Sequence, residues 1–160
     1  MEFKYTIEEY QETRSVGLTV KTDMQLAEKD CLAIWQSFGP RIATEIIPHA
    51  VVPSNVHSFG ICRMIDEERF YYSATLEITS MQTLPKDMHE ILIPKGLYVK
   101  CDVPSLAHIK EAYEAIYTEW PKSQTGYEFD MQGLWFERYP PGAEMDTPFE
   151  IYAAVKKCSQ

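Results

Sequence analysis

Alternating apolar and polar residues divide the first half of the chain into segments that predict β-strands. KYTIEEY and SVGLTVKT alternate on either side of the polar QETR, which predicts a hairpin-like pair. HSFGICRM and RFYYSATLEI form a second pair around the charged turn IDEE. Four strands are therefore expected before residue 80, interrupted by one longer segment with a different period.

That longer segment, CLAIWQSFGPRIATEI, has the apolar spacing of a helix. Its apolar positions recur near every third or fourth residue, at Cys31, Trp35, Phe38, Ile42 and Ile46. Asp30 precedes the segment and is a candidate N-cap. Because a proline inside a helix removes a backbone donor and costs about 3 kcal/mol, we expect a break or kink at Gly39-Pro40.

The second half repeats this order of elements. EILIPKGLYVKCDV predicts paired strands with a bend at Pro94-Lys95-Gly96, and GLWFERY and PFEIYAAVKK predict the last two strands. Between them lies the clearest helical pattern of the chain, with one apolar face formed by Leu106, Ile109, Tyr113, Ile116 and Trp120. Pro121 is expected to end that helix.

A spacing of 79 residues relates the two halves. The heptads GLTVKTD and GLYVKCD begin at residues 17 and 96 and match at five of seven positions. The same spacing joins Phe70 to Phe149, Ala74 to Ala153, and Phe38 to Tyr117. We interpret the chain as two copies of one unit, about residues 1–80 and 81–160, in a single domain with pseudo-two-fold symmetry. The predicted fold class is α+β, a duplicated strand-strand-helix-strand-strand unit with antiparallel sheets and two main helices.

Composition restricts the classes of function. The 160 residues carry 15 Lys and Arg against 24 Asp and Glu, a formal net charge of −9, which disfavours direct nucleic-acid binding and favours attraction of cations. The four cysteines form no CxxC pair and the four histidines lack zinc-ligand spacing, so no metal or other cofactor is predicted. Because no signal peptide or stretch of about 18 apolar residues is found, we expect a cytoplasmic protein without membrane contact.

The segment LWFERYPPG contains the best candidate for a binding site. Strand alternation puts Trp135, Glu137 and Tyr139 on one face, so that one carboxylate lies between two aromatic rings. This arrangement suits a delocalised organic cation, because each ring face contributes about 0.5 to 2 kcal/mol and the carboxylate supplies a counter-charge.

Simpler interpretations remain open for the same residues. Glu137 would lie on a solvated strand surface if the neighbouring aromatic side chains only pack. Taken singly, Trp35, Tyr113 and Trp120 indicate core packing before ligand contact, because their helical stripe is a packing signal first.

Six segments, in the order FGIC, FYYSATLEI, IPKGLYVKC, AIYTEWPKS, WFERY and FEIYAAVKK, carry a family resemblance. They resemble the GyrI-like small-molecule-binding family, which is also the effector-binding domain of multidrug-sensing transcription regulators of the AraC and MerR types. The match extends from about Tyr5 to Lys157. The resemblance implies that the two halves form a central groove for hydrophobic, often cationic, molecules.

The resemblance also implies which side chains line that groove. The acidic residue of the family lies in a Phe-Glu-x-Tyr strand, which here makes Glu137 the acidic pocket residue, flanked by Trp135 and Tyr139. The other expected ligand contacts lie on groove-lining segments and are Trp35, Phe59, Tyr72, Tyr98 and Tyr152.

Three functions are compatible with these residues, and binding without turnover is favoured. The first is a protein that binds a hydrophobic, cationic small molecule; we expect no DNA-binding domain, because the effector-like segment begins within the first ten residues. The second is a hydrolase of electrophilic xenobiotics or natural products, with Glu137 as general base and Tyr98 or Tyr152 as donor to the leaving group. The third is an interaction with an unidentified protein partner, as in the family members that modulate DNA gyrase.

Overall fold

The protein is described here by a computed structural model that covers residues 2–159. Strands and helices of the first half follow the order that the hydrophobic pattern predicts. They are β1 (Tyr5–Tyr10), β2 (Thr13–Asp23), α1 (Ala27–Arg41), a π-helical turn (Ile42–Ile46), β3 (Ala50–Val51), β4 (Ser58–Met64), β5 (Arg69–Ile78) and β6 (Ser80–Met81).

The second half has the same succession of longer elements. They are β7 (His89–Ile93), β8 (Gly96–Val103), a 3₁₀ turn (Leu106–His108), α2 (Ile109–Thr118), a second 3₁₀ turn (Trp120–Ser123), β9 (Tyr127–Phe129), β10 (Trp135–Tyr139) and β11 (Phe149–Lys157). The short strands β3, β6 and β9 have no counterpart in the sequence prediction.

The strands form one large antiparallel sheet, which confirms the α+β prediction. Its order is β1-β8-β11-β10-β4-β5-β2-β7, with β9 added beside β11, while β3 and β6 pair separately. Counted from the two opposite edges of the sheet, each of these first-half strands has the same position as one second-half strand. The corresponding pairs are β1 and β7, β2 and β8, β5 and β11, and β4 and β10. A duplicated unit is expected to give this order.

The hairpin predicted at the start of each half is wrong. β1 pairs with β8, where Tyr5 is opposite Cys101, and not with β2. β7 pairs with β2, where Ile93 is opposite Thr13, and not with β8. Each half therefore contributes its first strand to the edge of the other half. A short polar connection normally indicates a hairpin, but here it joins strands from opposite sides of the sheet.

These short connections force the sheet to curl. Tyr10 and Thr13 are three residues apart and span at most about 11 Å. Their strands are six places apart in the sheet, which is about 29 Å in a flat sheet. The edges must therefore approach each other, and the ring centroid of Tyr10 lies 5.1 Å from that of Phe136 at the middle of the sheet. We call the enclosed face the inner face and the face that carries the helices the outer face.

Each face of the sheet has its own apolar core. Phe59, Phe136 and Tyr152 belong to the cluster on the inner face. On the outer face, α1 packs through Phe38 onto the first-half strands and α2 packs through Ile116 onto the second-half strands. Both side chains are fully buried, which contributes about 1.5 to 3 kcal/mol for each. The two helices therefore flank the central strands β4 and β10.

The start of α1 differs from the sequence prediction. The helix begins before Asp30, whose carboxylate accepts a hydrogen bond from the Thr22 hydroxyl at 2.7 Å and caps nothing. The Asp23 carboxylate instead accepts the backbone N–H groups of Gln25 and Leu26, both at 2.9 Å. The carboxylate that accepts backbone N–H groups just before α1 therefore belongs to Asp23, the last residue of β2.

Proline does not stop α1. The α-helix continues through Pro40 to Arg41 and only then changes to the π-helical turn. Pro40 removes one backbone donor from the last turn of α1, and the regular α-helical hydrogen bonding ends one residue later. Neither helix within residues 2–159 has the length and apolar character needed to cross a membrane.

Candidate functional site

Glu137 lies on the outer face, in the space between the two helices. It is the middle residue of β10, opposite Gly60 of β4 on one side and Ile151 of β11 on the other. Strand alternation turns Trp135 and Tyr139 to the same face, as predicted. Only 3% of Glu137 is exposed, so the alternative of a solvated strand surface is wrong.

Three tyrosine hydroxyl groups donate hydrogen bonds to this buried carboxylate. Tyr72 of β5 and Tyr139 of β10 donate to Oε1 at 2.8 and 2.7 Å. Tyr113 of α2 donates to Oε2 at 2.5 Å. Trp35 of α1 donates its indole N–H to the Tyr72 hydroxyl at 2.7 Å. Both helices and two of the strands therefore meet at one carboxylate through a continuous hydrogen-bond network.

An ionised carboxylate fits these contacts. The Tyr72 hydroxyl accepts the bond from Trp35, so its own hydrogen points at Glu137. A carboxylate accepts several hydrogen bonds at once, whereas a carboxylic acid has to donate one of its own. An ionised Glu137 satisfies all three hydroxyl groups together.

Among the ion pairs of residues 2–159, none includes Glu137. Burial raises the pKa of Glu137 above its ordinary value of 4.5, and the hydrogen bonds from the three tyrosines act in the opposite direction. Burial, with the negative charge of Glu137 adding to it, raises the pKa of Tyr72, Tyr113 and Tyr139, so all three stay neutral donors.

Gly60 provides the space in which Tyr72 reaches the carboxylate. Strand β4 lies between β5 and β10, so the Tyr72 side chain has to cross β4 to meet Glu137. A Cβ atom on Gly60 would lie 2.2 Å from the Tyr72 hydroxyl oxygen and 2.4 Å from Glu137 Oε1. Both distances are shorter than non-bonded atoms adopt, so a glycine is required at the crossing point.

Aromatic rings from both helices border the carboxylate. Tyr113 lies nearly parallel to Trp135, with 5.9 Å between ring centroids and 16° between the ring planes. Trp35 meets Tyr139 edge to face at 5.8 Å. These four rings are half-buried, so parts of their outer surfaces are accessible although the carboxylate beneath them is covered.

Two thiols lie near the same network. The Sγ atom of Cys62 is 3.8 Å from the Tyr113 hydroxyl. Burial, assisted by the charge of Glu137, raises the pKa of Cys62 and raises that of Cys31 to about 12. Both thiols are therefore protonated at neutral pH, and a protonated thiol is a poor nucleophile.

The structure brings together five of the eight residues that the sequence proposed as ligand contacts. These five form the hydrogen-bonded and aromatic network described above and are Trp35, Tyr72, Trp135, Glu137 and Tyr139.

Phe59, Tyr98 and Tyr152 lie on the inner face and do not contact Glu137. All three belong to the inner-face cluster with Phe136, which follows Trp135 and faces the opposite way. The Tyr152 ring stacks on Phe136 with 4.7 Å between centroids, and the Tyr98 hydroxyl donates to a backbone carbonyl four residues earlier at 2.7 Å. A hydrolase with Glu137 as general base would therefore lack the donor that Tyr98 or Tyr152 was expected to supply.

Tyr113 is the contact that sequence reasoning missed, because its helical spacing groups it with the core. A spacing of 78 residues, and not 79, relates the two helices, since it joins the fully buried Phe38 to Ile116 and Trp35 to Tyr113. The earlier pairing of Phe38 with Tyr117 is not supported by burial, since Tyr117 is 68% exposed. The 78-residue spacing could have identified Tyr113 from the sequence, because it makes Tyr113 the counterpart in α2 of Trp35 in α1.

Comparison with known proteins identifies the type of domain. The profile of a family described as Cass2, integron-associated effector binding protein, matches residues 6–155. A search of curated protein sequences finds no match. The family match and the structural neighbours described next confirm the resemblance to GyrI-like effector-binding domains.

Three solved structures share the fold over nearly the whole chain. An integron cassette protein from the mobile metagenome of Vibrio cholerae is 15% identical, with a TM-score of 0.68 over 96% of this chain and 97% of that one. SAV2435 bound to tetraphenylphosphonium is 13% identical, with a TM-score of 0.70 over 96% and 94%. The C-terminal domain of EcmrR is 14% identical, with a TM-score of 0.69 over 99% and 100%.

Proposed function

The chain belongs to the family of integron-associated effector binding proteins, and on that premise we propose that it binds a lipophilic organic cation between α1 and α2. Glu137 is the counter-charge in this proposal, and Trp35, Tyr113 and Trp135 supply the aromatic walls. The bound compound is held without turnover, so that the protein senses or sequesters it.

The observation that carries the proposal is the burial of the Glu137 carboxylate without a cationic partner among residues 2–159. A carboxylate removed from water without a cationic partner costs several kcal/mol. Hydrogen bonds from three neutral hydroxyl groups offset only part of that cost. A ligand cation between the rings would supply the missing charge, and each ring face would add about 0.5 to 2 kcal/mol.

A ligand has to displace one side chain before it reaches the carboxylate. Tyr113 is the best placed to move, because its half-buried ring covers Oε2 through a single hydrogen bond to Glu137. Tyr72 is only 2% exposed and is held by Trp35, so it is expected to stay in place. Rotation of Tyr113 would uncover Oε2 while Oε1 keeps its two donors.

Two further observations support a cationic ligand. The structural neighbour SAV2435, of the same fold, was solved with the cation tetraphenylphosphonium. The formal net charge of −9 also attracts cations to the protein over longer distances.

The test is the affinity of the Glu137→Gln variant for a cation and for a neutral molecule of similar shape. Tetraphenylphosphonium and triphenylphosphine oxide are suitable probes for isothermal titration calorimetry. The variant keeps the shape of the side chain but removes the charge, so affinity for the cation should fall by about 2 to 5 kcal/mol. Affinity for the neutral probe should hardly change.

Glu90→Gln is the matched control, because it removes the same charge from a surface ion pair on β7. Cation affinity of that variant should equal that of the wild type. At about 100 times the dissociation constant, the cation should also raise the wild-type Tm by roughly 5 to 10 °C. Equal weakening of both probes by Glu137→Gln, or no weakening of either, would exclude Glu137 as the counter-charge.

A further inference from the structure

A second aromatic surface continues from the Glu137 site along α2. Tyr117 lies one helical turn beyond Tyr113, and its ring is nearly parallel to that of Phe129 of β9, with centroids 6.2 Å apart and 10° between planes. Tyr113 and Trp135 are related in the same way, at 5.9 Å and 16°. Phe129 and Trp135 contact each other with centroids 5.3 Å apart. We call these four rings the α2 platform.

The rings of the α2 platform are partly uncovered. Near-parallel rings whose centroids are about 6 Å apart are displaced sideways, so each leaves part of its face free. Tyr117 is 68% exposed, and the other three rings are half-buried. Tyr117 and Phe129 do not have to move when Tyr113 uncovers Glu137, so a planar molecule finds free ring surface on them without any rearrangement of the core.

The platform lies on the α2 side of the Glu137 site and has no counterpart on the α1 side. The spacing of 78 residues that relates the helices gives Tyr117 the place of Gly39 in α1. A Cβ atom on Gly39 would have no neighbour within 4 Å, so the corresponding surface of α1 is open and lacks a ring. Because α1 has a glycine at the corresponding position, packing of the helix on the sheet does not require the ring of Tyr117.

We propose that the α2 platform binds the planar aromatic part of an elongated ligand whose cationic group lies at Glu137. This inference rests on the proposed function, because it extends the same Glu137 site. Tyr117 is four residues beyond Tyr113, which is about 6 Å along the helix axis, so a short flexible chain connects the two positions. The ligand class is an amphipathic monocation joined by such a chain to a flat arene.

Three triphenylphosphonium cations test this inference by calorimetry. One carries a plain butyl chain, one a butyl chain ending in naphthalene, and one a butyl chain ending in cyclohexane. Stacking on the platform should make the naphthyl cation bind roughly three to ten times more tightly than the cyclohexyl cation. Equal affinities would mean that the tail contributes only apolar burial, and this would overturn the inference.

Tyr117→Ala locates the effect on the platform. Alanine is a good helix former and Tyr117 is largely exposed, so the variant is expected to fold. It should remove the advantage of the naphthyl cation and leave the butyl cation unchanged, while Tyr117→Phe should keep the advantage. Leu92→Ala, at an exposed apolar residue of the edge strand β7, is the matched control and should change nothing. An advantage that survives Tyr117→Ala would overturn the inference.

A neutral probe separates this inference from the proposed function. Stacking should shift the naphthyl proton resonances of 4-naphthylbutanol upfield in the wild type and in Glu137→Gln, and not in Tyr117→Ala. If no phosphonium cation binds but these shifts are seen, the cation proposal fails and the platform stands. If the shifts are absent from the wild type, the platform is excluded.

Discussion

Replacing Gly60 by alanine tests the geometry of the carboxylate network most directly. The added Cβ would lie 2.2 Å from the Tyr72 hydroxyl oxygen, 2.9 Å from Tyr72 Cζ and 2.4 Å from Glu137 Oε1. Both side chains end at this point and would have to move apart. Neither has free space, because Tyr72 is 2% exposed and Glu137 is 3% exposed.

The expected loss of stability has two parts. Overpacking a filled site costs about 1 to 3 kcal/mol, and breaking the hydrogen bond from Tyr72 to an ionised carboxylate costs about 1.5 to 3 kcal/mol. Gly60→Ala should therefore lower the free energy of unfolding by about 2.5 to 6 kcal/mol, or Tm by roughly 5 to 24 °C. Urea denaturation followed by circular dichroism measures the change.

Two comparisons make the result specific. Gly126→Ala is the matched control, because a Cβ there has no neighbour within 4 Å, and its effect should stay within about 0.5 kcal/mol. Tyr72→Phe removes the hydroxyl that the new Cβ would meet, so the double variant should lose at least about 1 kcal/mol less than the sum of the single variants. Additive losses, or a loss below about 1 kcal/mol in Gly60→Ala alone, would refute the crossing of β4 by Tyr72.

Two further predictions concern the charge of Glu137 and the Tyr113 side chain that covers it. Burial raises the pKa of Glu137 in the folded state above 4.5, so the folded state binds the proton more tightly than the unfolded state does. The resulting stabilisation is present at low pH and is lost as pH rises through the raised pKa. The free energy of unfolding of the wild type, measured relative to Glu137→Gln, should therefore fall between about pH 4.5 and neutrality, and a rise would contradict the burial argument. Tyr113→Phe keeps the ring on Trp135 but removes one donor to the carboxylate, so it should lower stability by about 1.5 to 3 kcal/mol. The same variant should bind tetraphenylphosphonium at least as tightly as the wild type. If calorimetry shows a loss of affinity as large as that of Glu137→Gln, Tyr113 is not the side chain that moves to admit the ligand.

The local pattern of the sequence was sufficient to predict the longer strands and the two helices, and one strand of the site. Strand alternation alone places Trp135, Glu137 and Tyr139 on one face, because side chains in a strand alternate with a period of two. The faces of different strands cannot be compared without their register. Tyr152 is opposite Phe136 and so shares its face, whereas a shift by one residue would have placed Tyr152 beside Glu137.

Strand partners were not predictable from local rules for the same reason. The connections after β1 and β7 are short and polar, which is typical of hairpins, yet each joins strands that are far apart in the sheet order. The exchange of first strands between halves depends on contacts that are distant in sequence. The role of Tyr113 also depends on such a contact, because its hydroxyl donates to Glu137, which lies 24 residues later in the chain.

Of the two central strands of the sheet, only β10 carries a buried carboxylate, and this bears on the charge of the proposed ligand. In the pairing of β4 with β10, Cys62 is opposite Trp135 and Gly60 is opposite Glu137. Neither residue of β4 carries a charge, because glycine has no side chain and the Cys62 thiol is protonated. A second carboxylate there would lie close to the first, and two like charges in one buried site cannot both ionise without a large cost. In the proposed binding of a cation, this single negative charge matches a monocation and favours it over a dication.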